Sequence, residues 1–162
     1  MSKLRHLTTF VTTVAVVGTL SACTTAGWVP EAPPAAGVQT DAGGLKLRNF
    51  LVIADGEGAA MITGGIASRD AATEVVGLGV APETTDNTFG DQQAIRINEE
   101  IGQGQTITLD GTETRFEDDA LQLGRLALVS VAFSDGQIVS LEVPVLSSDH
   151  PDFAEAWAAA HA

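Results

Sequence analysis

Between residues 45 and 146 this chain repeats one pattern, apolar side chains at alternate positions followed by Gly, Asp or Ser. A period of two sends neighbouring side chains to opposite faces of an extended strand, so each such run buries one face and wets the other. Leu45, Leu47, Leu51 and Ile53 fall on one predicted face, with Lys46 and Arg48 beginning the other. Asp55-Gly56-Glu57-Gly58 then reads as a turn. Ala59–Ala67 and Thr73–Ala81 are the next predicted strands, on either side of the polar turn Ser68-Arg69-Asp70. Pro82–Gln92, rich in Thr and Asp, reads as a loop. Short strands are expected at Gln93–Ile97 and Gln105–Leu109, around Gly102-Gln103-Gly104, and Asp110-Gly111 turns the chain into Thr112–Phe116.

Leu123–Phe133 is apolar on both faces, the mark of a strand with neighbours on each side. Asp135-Gly136 is a hairpin signal. After it Val139, Leu141, Val143 and Val145 alternate with Ser140, Glu142 and Pro144, and Pro144 places that strand's end at an edge. Many short strands without a long helical period predict an antiparallel β-sandwich. Residues 147–162 differ. Asp149 and Asp152 can cap a short helix with Pro151 in its first turn. Phe153, Ala156, Trp157 and Ala160 have helical spacing, for docking on the sandwich or, in a sharper reading, for a partner contact through Phe153 and Trp157.

The amino terminus carries an address. Lys3, Arg5 and His6 precede an apolar stretch, Leu7–Gly18, too short to span a bilayer and suited to a cleaved signal peptide. It ends in Leu20-Ser21-Ala22-Cys23, the form of a lipobox, at which bacterial signal peptidase II cuts ahead of a cysteine bearing a diacylglyceryl group. Cys23 is the single cysteine, so lipidation there leaves neither a disulfide nor a free thiol. The expected organisation is a signal peptide (1–22), a lipidated Cys23 with a flexible tether (23–44), a β-sandwich (45–146) and a terminal helix (147–162). The tether holds three prolines and one Trp, Trp28, which can sit at the membrane interface, pack back on the domain or stand exposed.

Removal of residues 1–22 leaves 21 acidic against six basic side chains, a net charge of −15. Such a surface repels phosphate backbones and excludes nucleic acid as a partner. It also repels anionic headgroups, so membrane attachment falls to acyl chains. The expected location is the extracytoplasmic face of the cell membrane.

Ile101–Gly111, Leu121-Gln122-Leu123-Gly124, Val129–Gly136 and Val143-Pro144-Val145 follow in order a small-residue loop, a strand, a Gly turn, an L…L-x-x-G-like segment, a hairpin and a closing V-P-V. More weakly, Ala59–Thr63 and Glu74–Leu78 match a first strand pair. In this texture the domain resembles the periplasmic copper(I) chaperone family PCu(A)C, and similar lipoproteins occur in actinobacteria. The resemblance implies an immunoglobulin/cupredoxin-like antiparallel sandwich, all-β apart from the terminal helix. It also implies soft ligands for copper(I), one His and Met group and a later His-x-Met just after the Gly turn. Here that later position is Thr112-Glu113-Thr114-Arg115-Phe116, with neither residue type. The conceivable ligands left are Met61, a mid-strand core filler by its setting, and His150 and His161 near the carboxyl end. The chain is thus expected to hold no metal or cofactor.

Catalysis has little to stand on. Glu99-Glu100 and Glu117-Asp118-Asp119 are the tightest carboxylate groups. Adjacent strand residues face opposite ways, so Glu99 and Glu100 should not converge. Hydrolysis at the second group would need Glu117 or Asp119 buried, to raise a pKa. There is no G-x-S-x-G elbow, no calcium loop, and Ile107 stands where a phosphate loop would need its third Gly. The expected function is that of an anchored, non-enzymatic binding or scaffold module with an unidentified envelope partner or ligand. The alternative is a metal-handling protein using Met61 with a terminal histidine. Cys23→Ala should move the protein from the detergent phase to the aqueous phase on phase partitioning; retention with detergent would show another mode of attachment.

Overall fold

The structure, a computed structural model, describes residues 36–162. Leu20, Ser21, Ala22 and Cys23, together with Trp28 and most of the expected tether, lie outside the described residues. Ten strands follow, β1 (Val38–Ala42), β2 (Leu45–Ala54), β3 (Ala59–Ser68), β4 (Thr73–Pro82), β5 (Gln93–Ile95), β6 (Glu99–Ile101), β7 (Gln105–Leu109), β8 (Arg115–Glu117), β9 (Leu126–Phe133) and β10 (Ile138–Ser147), and then helix α1 (Pro151–Ala160). They form one continuous sheet of order β5-β4-β9-β10-β2-β3-β7, with β1 on β2, β6 on β4 and β8 on β3. The sheet curls over so that its halves face each other. Leu47, Phe50, Val52, Ile62 and Ile66 from β2 and β3 share one buried cluster with Val75, Val80, Val129, Val131 and Val143 from β4, β9 and β10. The all-β sandwich expected from the alternation is therefore the observed fold.

Four local expectations change. The first is the face of β2. Strict alternation would put Leu51 and Ile53 beside Leu45 and Leu47, but the register against β3 shifts between Arg48 and Leu51. Asn49 sits there with φ of 52°, a left-handed conformation that Asn tolerates better than most residues. Its Oδ1 accepts a hydrogen bond from the Gly37 N–H at 2.8 Å. This β-bulge reverses the strand's faces. Phe50, Val52 and Ala54 continue into the main core, while Leu51 and Ile53 turn to the outer side. The second is the tether's end, where Val38–Ala42 pairs antiparallel with β2 as β1. The Lys46 ammonium meets the Asp41 carboxylate at 2.9 Å and the Arg48 guanidinium joins the same group.

The third concerns β10. Ile138–Pro144 pairs antiparallel with β9, and Val145–Ser147 pairs parallel with β2. Pro144 lies where the strand passes from one layer to the other rather than at an edge, at the point where the ladder changes partner and a missing N–H costs least. The sandwich is thus antiparallel except at this one pairing among the described residues. The fourth is the cap of α1. His150, not Asp149 or Asp152, is the N-cap, its Nδ1 accepting from the Asp152 N–H at 3.3 Å.

The Phe50 ring rests on Gly64 of β3, where an added Cβ would fall 2.6 Å from the ring. Gly64→Ala should therefore lower stability by about 1–3 kcal/mol, as overpacking does, and reduce the urea midpoint. A midpoint equal to that of the parent would show that the ring does not depend on this gap.

Candidate functional site

The segment joining β7 to β8, with the start of β8, contains Thr112–Phe116, the stretch singled out in the sequence as lacking His and Met. Asp110 Oδ1 accepts from the Thr112 N–H at 2.9 Å, and the Thr114 N–H donates to the Gly111 carbonyl at 3.3 Å, which makes a tight turn. Gly111 has φ of 98° and presses directly on the Met61 sulfur, so any side chain there would be strained and would collide. Thr114 is buried. Its hydroxyl donates to the Ile62 carbonyl at 2.5 Å, and the Ile62 N–H donates back to the Thr114 carbonyl at 3.3 Å. A second clasp comes from Arg115, whose Nε donates to the Thr112 carbonyl at 3.1 Å and whose Nη1 donates to the Ala160 carbonyl of α1 at 2.7 Å. Three of these contacts close the turn on itself, and those from Thr114 and Arg115 tie it to β3 and α1.

Met61 is fully buried in a small cluster with Leu51, Ile53 and Ala160, against which Leu146, Phe153, Ala156 and Trp157 pack. It is a core side chain, as its setting in the sequence suggests. His150 and His161 are exposed at opposite ends of α1, and a ten-residue helix separates its ends by about 15 Å. The Nδ1 of His161 lies 2.9 Å from the Trp157 carbonyl, and its ring stacks on the indole with centroids 3.9 Å apart. The structure does not assemble Met61 with both histidines. Among the described residues, no three of His, Cys, Asp and Glu come close enough together to hold a metal ion.

The carboxylates are arranged as alternation implies. Glu99 lines a cleft of about 270 Å³ with Asp110 and Glu113, whereas Glu100 lines a different depression beside Glu74 and Ser134. Glu117 and Asp119 are exposed, so the burial that a hydrolytic role requires is missing there. Two aspartates are held below the ordinary value of 3.8. Asp110 is lowered first by the hydrogen bond from the Thr112 backbone and then by the Thr112 hydroxyl. Asp41 is lowered by the Lys46 ammonium and then by Arg48.

The clasp through Arg115 has no trace in the periodicity, because its acceptor is a backbone carbonyl 45 residues further along the chain. Its one sequence signal is indirect: α1 has no basic residue in its last turn to meet its carbonyl ends.

No protein-family model matches this chain, and no curated protein matches it. Among solved structures, the chain is similar to the apo PCuAC domain from PmoF1 at 18% identity and a TM-score of 0.49, covering 68% of this chain and 99% of that one. It is similar to the copper-bound PCuAC domain from PmoF2 at 12% identity and a TM-score of 0.40, covering 68% and 98%. The alkylpurine DNA glycosylase AlkC of Pseudomonas fluorescens, bound to DNA with an abasic-site analogue, matches at 14% identity and a TM-score of 0.40, covering 64% of this chain and 30% of that one. The sandwich assignment rests on this chain's own strand pairing.

Folding lowers the pKa of Asp110, so it favours the charged form. Its contribution to stability is complete above the unfolded-state value of 3.8 and is lost as the pH falls through the lower folded value. Asp110→Asn, which keeps an acceptor for the Thr112 N–H, should flatten the acid limb of stability against pH. An unchanged acid limb would show that Asp110 plays no part in it.

Proposed function

We propose that this protein is a lipid-anchored, non-enzymatic binding or scaffold module of the bacterial envelope, a sandwich that presents its loops and strand edges to another extracytoplasmic component. One observation carries the ligand-free part of the reading. The segment expected to bear copper ligands is committed to structure instead, with Thr114 bonded to β3, Arg115 to α1 and Gly111 against the Met61 thioether. Copper(I) prefers thioether, thiolate or imidazole donors, and this segment offers hydroxyl, guanidinium and carboxylate groups.

The anchoring part of the reading is supported by Leu20-Ser21-Ala22-Cys23 behind a short apolar stretch. The acidic mature chain leaves acyl groups as the means of attachment. A rigid β scaffold with polar loops, such as Pro82–Gln92, suits recognition, since loops held on a fixed frame carry specificity.

Isothermal titration with copper(I) under reducing conditions tests the ligand-free reading. No stoichiometric binding at micromolar concentration is expected. One equivalent bound more tightly than micromolar would overturn the reading in favour of a metal-handling protein, and loss of that equivalent in Met61→Leu would locate the site.

A further inference from the structure

The outer face of β2 and β3 is apolar around Leu51, Ile53 and Met61, and the fold supplies its own cover there. One row crosses four strands, with Leu146 of β10 beside Ile53 of β2, Ile53 opposite Met61 of β3, and Met61 opposite Arg115 of β8. Leu51 adjoins the row within the same cluster. The helix α1 lies over it, yet only Ala160 of its ten residues is buried, 2% exposed, while Phe153, Ala156 and Trp157 are partly covered. Among the described residues, one hydrogen bond joins α1 to the sandwich, from Arg115 Nη1 to the Ala160 carbonyl.

That bond does two things. It satisfies one of the carbonyls that every helix leaves unpaired at its carboxyl end, and it places a cation at the negative end of the helix dipole. A ten-residue helix is too short to be stable alone in water, so α1 keeps its structure only while docked. Its contacts with the sandwich are few. The main core, by contrast, is closed between two sheet layers that do not use α1. Regions with few buried contacts open at lower free energy than the core they rest on.

We propose that α1 is a strap that lifts from the sandwich as a unit while the main core stays folded, with Arg115 as the latch that sets how often it lifts. Lifting bares Leu51, Ile53, Leu146 and the Met61 thioether. The strap makes the outer face of this layer switchable, apolar when open and covered when closed.

Two readings on the full chain under native conditions test this. The first is amide hydrogen exchange followed by mass spectrometry. The second is oxidation by dilute hydrogen peroxide, in which one peroxide oxygen bonds to the Met61 sulfur, the O–O bond breaks and water leaves. Sulfur is thereby oxidised to the sulfoxide and the peroxide reduced. Amides of residues 154–160 should exchange at least about a hundredfold faster than those of β9. Arg115→Ala should raise both the exchange of α1 and the rate of Met61 oxidation by about tenfold, leaving β9 unchanged, with Arg115→Lys between the two. Exchange of α1 and β9 in step, or Arg115→Ala raising neither rate, would overturn the proposal. Should Arg115→Ala fail to fold, the contrast between α1 and β9 in the parent chain decides on its own.

Discussion

The left-handed residue in the middle of β2 determines more of this molecule than any other local feature. Without the bulge at Asn49, the strand would carry Leu45, Leu47, Leu51 and Ile53 on one side and drive Phe50 and Val52 toward solvent. With it, the first half of β2 and the second half feed the core from different parities. Leu51 and Ile53 are released to build an outer apolar patch. A patch of Leu, Ile and Met in water calls for a cover, and the helix that supplies it lies three residues beyond the strand, β10, that flanks the patch. The side chain of Asn49 also holds the Gly37 N–H, which fixes where β1 begins. Interior packing, outer patch and terminal helix thus follow from one backbone conformation.

The turn between β7 and β8 is held by side chains that point away from one another. A metal site needs donors that converge on a point and leave it open for the ion. Here the donors diverge. The Thr114 hydroxyl points to β3, the Arg115 guanidinium crosses to α1, and the Asp110 carboxylate closes its own turn. A turn that is pulled in three directions is rigid, which suits a segment that must hold the edge of a sheet and the end of a helix together.

The fold class was legible because alternation over many short runs leaves few other architectures. Strand positions on β3, β4 and β7 follow directly from which residues are apolar, whereas β9 begins at Leu126, three residues later than the apolar run that includes the exposed Leu123. The parity change in β2 was not legible, because a single residue at positive φ leaves the composition of a strand unchanged and only breaks its phase. Nor was β1, whose sequence Val38–Ala42 is too polar to stand out and which is held by pairing and by charges from Lys46 and Arg48. The parallel contact of β10 with β2 joins segments from opposite ends of the domain, and no local pattern encodes it. At the site, burial of Met61 was readable from its place in an apolar run, and divergence of Glu99 from Glu100 from alternation. Arg115 was not, since a side chain that serves a distant carbonyl looks like any exposed cation.

The double membership of β10 has a consequence for assembly. Among the described residues it is the one strand hydrogen-bonded into both layers, and its last three residues make the join to Val52–Ala54. Hairpins such as β2–β3 and β9–β10 can zip from local turns as the chain emerges. The two layers cannot be tied together until the final strand is present. Closure is therefore a late event governed by a contact of long sequence separation, which slows folding. A chain cut before residue 145 would lack the hydrogen-bonded join between the two layers.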